Sequence, residues 1–152
     1  MKKAFCILLF ANILSTISIA QSFTDKDSLF ALSKKENKCI LMVFSGSDWC
    51  ANCIRLEKNI LQDTIFRNFI QSNLLYLNID FPQRKKQSDL LKKQNEELAE
   101  LYNPNGTFPA ILLLSPGKKS MPVIYQQEPT TLFIEKIKKA VAYLNENNAA
   151  QN

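Results

Sequence analysis

The feature that most constrains this chain is an unbroken apolar run, Cys39 to Phe44, closed by Ser45, Gly46 and Ser47 and followed at once by the cysteine pair Cys50 and Cys53. Apolar residues without alternation describe a strand covered on both faces. Past the small-residue turn, Cys53, Leu56 and Ile60 recur at helical spacing, so the strand delivers the chain into a helix that begins at the cysteines. A strand of that kind needs helices above and below it.

The rest of the chain supplies them. Leu29, Phe30 and Leu32 mark a helix over Asp25 to Glu36, with Thr24 and Asp27 spaced as a capping box. Asp63 caps a further helical stretch through Ile65, Phe66, Phe69 and Ile70, and Leu74 to Ile79 reads as a second buried strand. A polar connection, Phe81 to Lys86, leads to a helix over Ser88 to Tyr102 with Leu90, Leu91, Leu98 and Leu101 on its inner side. Asn103 to Gly106 is a turn, and Ala110 to Leu114 pairs with Met121 to Tyr125 in a hairpin around Pro116 and Gly117. Thr130 caps a last helix to Asn145, with Leu132, Phe133, Ile137, Val141 and Leu144 inward and a frayed tail after Glu146. The order predicts an α/β fold of three layers, a central mixed β-sheet flanked by helices on both faces. At 152 residues, with 46% hydrophobic and 22% charged, the chain holds one such domain.

Residues 1–20 do not belong to that domain. Lys2 and Lys3 precede an apolar run that ends in small residues, with Ser18 and Ala20 at the −3 and −1 places, the build of a secretory signal peptide cleaved after Ala20. The domain is then residues 21–152, periplasmic or secreted. The competing reading is an N-terminal membrane anchor, for which the run is short against a span of about 20 residues. Cys6 lies within this segment and leaves with it. The net charge of +5 includes the two lysines of the leader, and the remaining basic groups, such as Arg84, Lys85 and Lys86, are short and followed or flanked by acids or Gln. That pattern predicts no nucleic-acid partner.

The sequence contains no histidine, which excludes Ser-His-Asp hydrolysis, Cys-His proteolysis and His-ligated metal sites. A zinc site would need Cys39, Cys50, Cys53 and a carboxylate around a single CxxC arm, so no metal is expected. An odd number of cysteines after the leader also argues against a disulfide-stapled scaffold. Cys39 reads as an inert buried residue, with a regulatory or inter-chain role as its alternative.

Cys50 and Cys53 have a more specific reading. At a helix N-terminus, unpaired N–H groups and the helix dipole favour a thiolate. Cys50 falls in the first turn and Cys53 one turn in on the same face, close enough to form a disulfide. The first thiolate attacks a substrate disulfide and the second resolves the mixed species. The bland alternative is a structural disulfide, which a loop this small stabilises little.

The motif Trp49-Cys50-Ala51-Asn52-Cys53 after an apolar strand resembles the thioredoxin superfamily, and Phe108-Pro109 ahead of Ala110 to Leu114 matches the family's cis-proline. Cis bonds are essentially confined to proline. The resemblance covers Asp25 to Asn145. It implies that Phe108 and Pro109 line the substrate groove beside Cys50 and that Trp49 packs against the disulfide. The segment SDWCANCIRLEKNIL is further similar to exported electron-relay domains such as the reducing C-terminal domain of DsbD, which carry an acidic residue seven places after the first cysteine. Glu57 stands there, on one helical stripe with Cys50 and Cys53, either as a proton relay or as a solvated carboxylate. Phe44 occupies the place where thioredoxins keep a buried aspartate, so another group must take the proton of Cys53.

The resemblance implies a thiol-disulfide oxidoreductase of the protein-disulfide reductase type, needing no bound cofactor because the dithiol is the redox centre. Its partners would be disulfide-bearing exported proteins and a membrane thiol relay that recharges it, and it would act as a monomer. The alternatives are a binding or chaperone module on the same fold, and a net oxidase or isomerase.

Overall fold

The computed structural model describes residues 25–149, so the leader, Cys6 and Thr24 lie outside the described residues. Helix α1 spans Lys26–Glu36, and its cap is Asp25, whose carboxylate accepts the N–H groups of Asp27 and Ser28. The helix stops at Asn37, which takes the left-handed conformation at φ 52°.

Strand β1, Ile40–Ser45, is displaced one residue from the expected Cys39 to Phe44. It runs through the middle of a four-stranded sheet of order β2-β1-β3-β4, with β2 at Leu75–Asp80, β3 at Ala110–Leu114 and β4 at Ser120–Pro122. β1 is parallel to β2 and antiparallel to β3, and β3 is antiparallel to β4, so the sheet is mixed as expected. The continuous apolar run is explained by this central place. Leu41 and Val43 pack into one core with Phe66, Phe133 and Ile137, while Ile40, Met42 and Phe44 pack into another with Leu29 and Leu98.

The helices are α2, Ala51–Leu56, α3, Thr64–Asn73, α4, Asp89–Tyr102, and α5, Thr130–Ala149. The first core is closed by α2, α3 and α5 and the second by α1 and α4, which gives the three layers. A π-helical turn, Glu57–Leu61, follows α2 before Asp63 caps α3 by accepting the N–H of Ile65. The Asp63 carboxylate also accepts the Thr130 hydroxyl at 2.8 Å and ties α3 to α5. Thr130 is therefore the first residue of α5 rather than its cap, and Phe133 N–H bonds to the carbonyl of Pro129.

Four expectations are corrected by burial and pairing. β2 is an edge strand: Leu75, Leu77 and Ile79 are buried in one core and Tyr76 is half-buried against the other, but Asn78 faces solvent, so the second face is covered only in part. β4 ends at Pro122, which has no N–H for the ladder; Val123 still donates to Ile111, and the chain then leaves the sheet with Ile124 exposed. On α4 the inward line is Leu91, Asn95, Leu98 and Tyr102, at spacings of four, three and four, whereas Leu90 and Leu101 are exposed. On α5 the buried line is Phe133, Ile137, Ala140 and Leu144; Leu132 lies outside it, and the helix continues past Glu146 to Ala149.

Candidate active site

The C-terminal end of β1 opens into the turn Ser45 to Trp49, and Cys50 N–H closes it on the carbonyl of Gly46 at 2.9 Å. Cys50 is the N-cap of α2, in an extended conformation, and its Sγ accepts the N–H of Cys53 at 3.2 Å. A side-chain acceptor at an N-cap satisfies one of the helix's orphan donors, and negative charge on that atom is favoured by the helix dipole. Cys50 and Cys53 form a disulfide with Cα atoms 5.2 Å apart. Both are buried, Cys50 at 8% and Cys53 at 3% exposure, so the outer sulfur is the more accessible.

Trp49 stands beside the pair and is 38% exposed. Its indole N–H donates to the carbonyl of Phe81 at 2.7 Å, and its ring meets Phe108 edge-on at 5.4 Å. Phe81 also meets Phe108 edge-on, at 5.6 Å. Gly46 lies against the indole so closely that an added Cβ would overlap it, which makes glycine a packing requirement there. The Phe108–Pro109 bond is cis. It is delivered by a loop that the buried Asn103 side chain closes on itself, donating to Thr107 O at 2.9 Å and accepting Thr107 N–H at 3.1 Å. Phe108 and Pro109 line a cleft of about 560 Å³ together with Asn52, Arg55, Tyr125 and Gln126. The structure thus gathers Cys50, Cys53, Trp49, Phe108 and Pro109 at one end of the sheet.

Glu57 stands apart from that group. The buried arc of the helix runs through Cys53, Leu56 and Ile60. A residue four places after Cys53 falls ~40° past it, on the side away from Leu56. Glu57 is exposed, and its carboxylate accepts the side-chain amide of Gln62. Burial, with the charges of Glu57 and Asp80 adding to it, pushes the Tyr76 phenol up.

Two carboxylates not foreseen from the sequence hold the site together. Asp80, at the end of β2, accepts both the N–H and the hydroxyl of Ser47, at 2.8 and 2.6 Å. Asp48 accepts the N–H groups of Gln83, Arg84 and Lys85 at 2.9, 2.8 and 3.0 Å. Those bonds, that of Gln83 foremost, hold the Asp48 carboxyl below its usual range. Asp48 was visible as a charged neighbour of the motif, but its partners are more than thirty residues away. Cys39 lies just before β1, 3% exposed, and burial pushes its thiol up. It remains a protonated, sequestered thiol at neutral pH.

A mixed sheet between two helical layers, with a disulfide at the cap of the helix that follows the central strand, defines a thioredoxin-like protein with a CxxC centre. The chain belongs to the Thioredoxin-like family, whose model matches residues 24–116. Among its relatives is the disulfide bond reductase DsbH of Chlamydia pneumoniae, 32% identical over 110 residues, a match covering 72% of this chain and 66% of that protein. A solved DsbH oxidoreductase superposes with a TM-score of 0.73 at 28% identity, over 78% of this chain and 82% of the other. The oxidised C-terminal domain of DsbD from Neisseria meningitidis shares the fold, with a TM-score of 0.52 at 15% identity over 75% and 90% of the two chains. The chain spans just under two thirds of the length of the curated relative.

Proposed function

We propose that the protein is a thiol-disulfide oxidoreductase that works as a reductase of disulfides in exported proteins. The observation that carries this is the Cys50–Cys53 disulfide at the cap of α2, with Cys50 Sγ receiving the Cys53 N–H beside the Pro109 cleft. In the reduced protein the same donor and the helix dipole stabilise a Cys50 thiolate. That thiolate attacks one sulfur of a substrate disulfide, forming a Cys50–substrate disulfide and expelling the other substrate sulfur. Cys53 then displaces the bound sulfur and restores the Cys50–Cys53 disulfide. Two electrons and, through solvent, the protons of the dithiol pass to the substrate, which leaves as two thiols.

The direction of net transfer is supported by the relative named a disulfide bond reductase. In this reading residues 1–20 export the chain to the periplasm or beyond, Pro109 and Phe108 shape the groove, Trp49 covers the disulfide, and the domain acts as a monomer. A membrane dithiol relay returns the pair to its reduced form. Glu57 is a proton acceptor for Cys53 only through solvent, given its place at the helix edge.

Reduction of insulin by the mature protein, recycled with a dithiol, tests the reading. Wild type should accelerate precipitation of the B chain, and Cys50→Ser should fall to the uncatalysed rate. A wild type no faster than Cys50→Ser would make the protein a binding module.

A further inference from the structure

The charges around the dithiol are sorted by sign. The nearby carboxylates are turned to internal use: Asp48 holds the N–H groups of residues 83–85 and Asp80 holds Ser47. The nearby cations are turned outward. Arg84, Lys85 and Lys86 are exposed on the loop that Asp48 pins two residues from Cys50, and Arg55 is exposed on α2, where it lines the cleft with Pro109. Among the described residues the ion pairs engage Lys26, Lys38, Lys92, Lys136 and Lys138, and none of these four.

The loop carries three cations and the acid that pins it is a single charge, bonded to the backbone and attracting Lys85, so the loop keeps a net positive field. Cations kept free around a redox centre match carboxylates on whatever presents the disulfide.

We propose that Arg55, Arg84, Lys85 and Lys86 form a docking rim for substrate proteins whose reducible disulfide is flanked by acidic residues. The inference rests on the oxidoreductase reading and adds the substrate class to it. Attack by Cys50 and release by Cys53 proceed as above; the rim raises the frequency of productive encounters and holds the mixed disulfide in the cleft. Arg55 meets the segment lying along Pro109, and the 84–86 loop meets the segment passing over Trp49. The same cations disfavour substrates with lysine or arginine beside the disulfide.

Three disulfide peptides of one length test this, their half-cystines flanked by Glu, Gln or Lys, with kcat/KM measured at low and high salt. At low ionic strength the Glu peptide should be reduced about tenfold faster than the Gln peptide, and the Lys peptide more slowly than both. Salt at about 0.5 M should bring the three together, since screening then acts over a few ångströms. The variant Arg55→Gln, Arg84→Gln, Lys85→Gln, Lys86→Gln should lose most of the Glu-over-Gln ratio. Because each ratio is taken within one protein, a general fall in turnover leaves the readout intact. Equal rates for the three peptides at low salt, a preference for the Lys peptide, or a full ratio in the quadruple variant would each overturn the rim while leaving the oxidoreductase reading in place. Failure to reduce any peptide removes that reading and the rim with it.

Discussion

Two walls flank the active site and are built differently: the one that carries Cys50, beside the cleft, and the one beyond Val123 that lines the cleft. The wall that carries Cys50 is fixed by acceptors that reach across the sequence: Asp48 to residues 83–85, Asp80 to Ser47, and the Phe81 carbonyl to the Trp49 indole. The facing wall leaves the sheet after Val123 and reaches α5 through exposed Ile124 and Gln127, the latter at φ 60°. Two side chains strap it, Lys136 and Glu128, which accepts the Gln126 N–H at 2.6 Å, and Tyr125 packs edge-on against Phe133. Lys136 Nζ donates to the Ile124 carbonyl and to the Gln126 amide oxygen, each at 3.2 Å, and pairs with the largely buried Glu128. A sulfur that must meet a substrate sulfur along one line is held by acceptors from distant elements, and the wall that must accept varied peptides is held by one charged pair and one ring contact.

The largest disturbance of the fixed wall is expected from Gly46→Ala. The new Cβ would meet the Trp49 indole, which must leave Phe81 and Phe108 to make room. Overpacking of this kind costs about 1–3 kcal/mol, to be read from urea denaturation. Trp49 is the single tryptophan, so its emission reports the displacement directly and should shift red as the ring enters water. Unchanged emission with full insulin reductase activity would show that this wall gives way as easily as its neighbour.

Asp48→Asn comes next. It leaves one oxygen for three N–H donors and removes the charge, so amide exchange at Gln83, Arg84 and Lys85 should quicken while exchange in β1 stays slow. The pH dependence has a definite sign. The folded carboxyl is depressed below 3.8, so its stabilisation is fully present above that value and is lost as pH falls through the lower folded pKa. The gap in urea midpoint between wild type and variant should therefore be constant near neutrality and close in acid. A gap that widened on acidification would rule out the hydrogen-bonded carboxylate as the source.

What the sequence revealed divides along the same line. β1, the helix that follows it, Cys50 and Cys53 are legible because each is announced by a local pattern, an apolar run or an i, i+3 pair, whereas Pro109 is singled out by the resemblance to the thioredoxin superfamily. Asp80, Asp48 and Asn103 are not legible, because a carboxylate or amide declares its role through partners brought near only by the sheet. Helical spacing put Glu57 on the cysteine stripe, yet four residues overshoot a turn and carry it to the solvent side. Leu90 and Leu101, which the leucine pattern alone counts as core, fall ~80° and ~60° to the other side of Leu98 from Asn95 and Tyr102, and so face solvent. β4 was drawn too long because Met121 to Tyr125 alternates well, while the missing N–H of Pro122 ends the ladder.

The smallest effect is expected on the strapped wall, from Lys136→Met. The methionine keeps most of the apolar stem and removes the ammonium, so Ile124 O and Gln126 lose a donor that is partly in water already. The ammonium is partly in water, but its loss leaves the largely buried Glu128 carboxylate without its cation, so the stability lost in urea denaturation should be about 1 kcal/mol, at the low end of the cost of an unpaired buried group. The informative readout is kinetic. A wall freed from its strap must be ordered again by each bound peptide, which raises KM, whereas the Cys50–Cys53 potential depends on the α2 cap and on Ser47, Asp48 and Trp49, none of which Lys136 touches. A shift in that potential in Lys136→Met would mean that the two walls move as one body and that the contrast between them is only apparent.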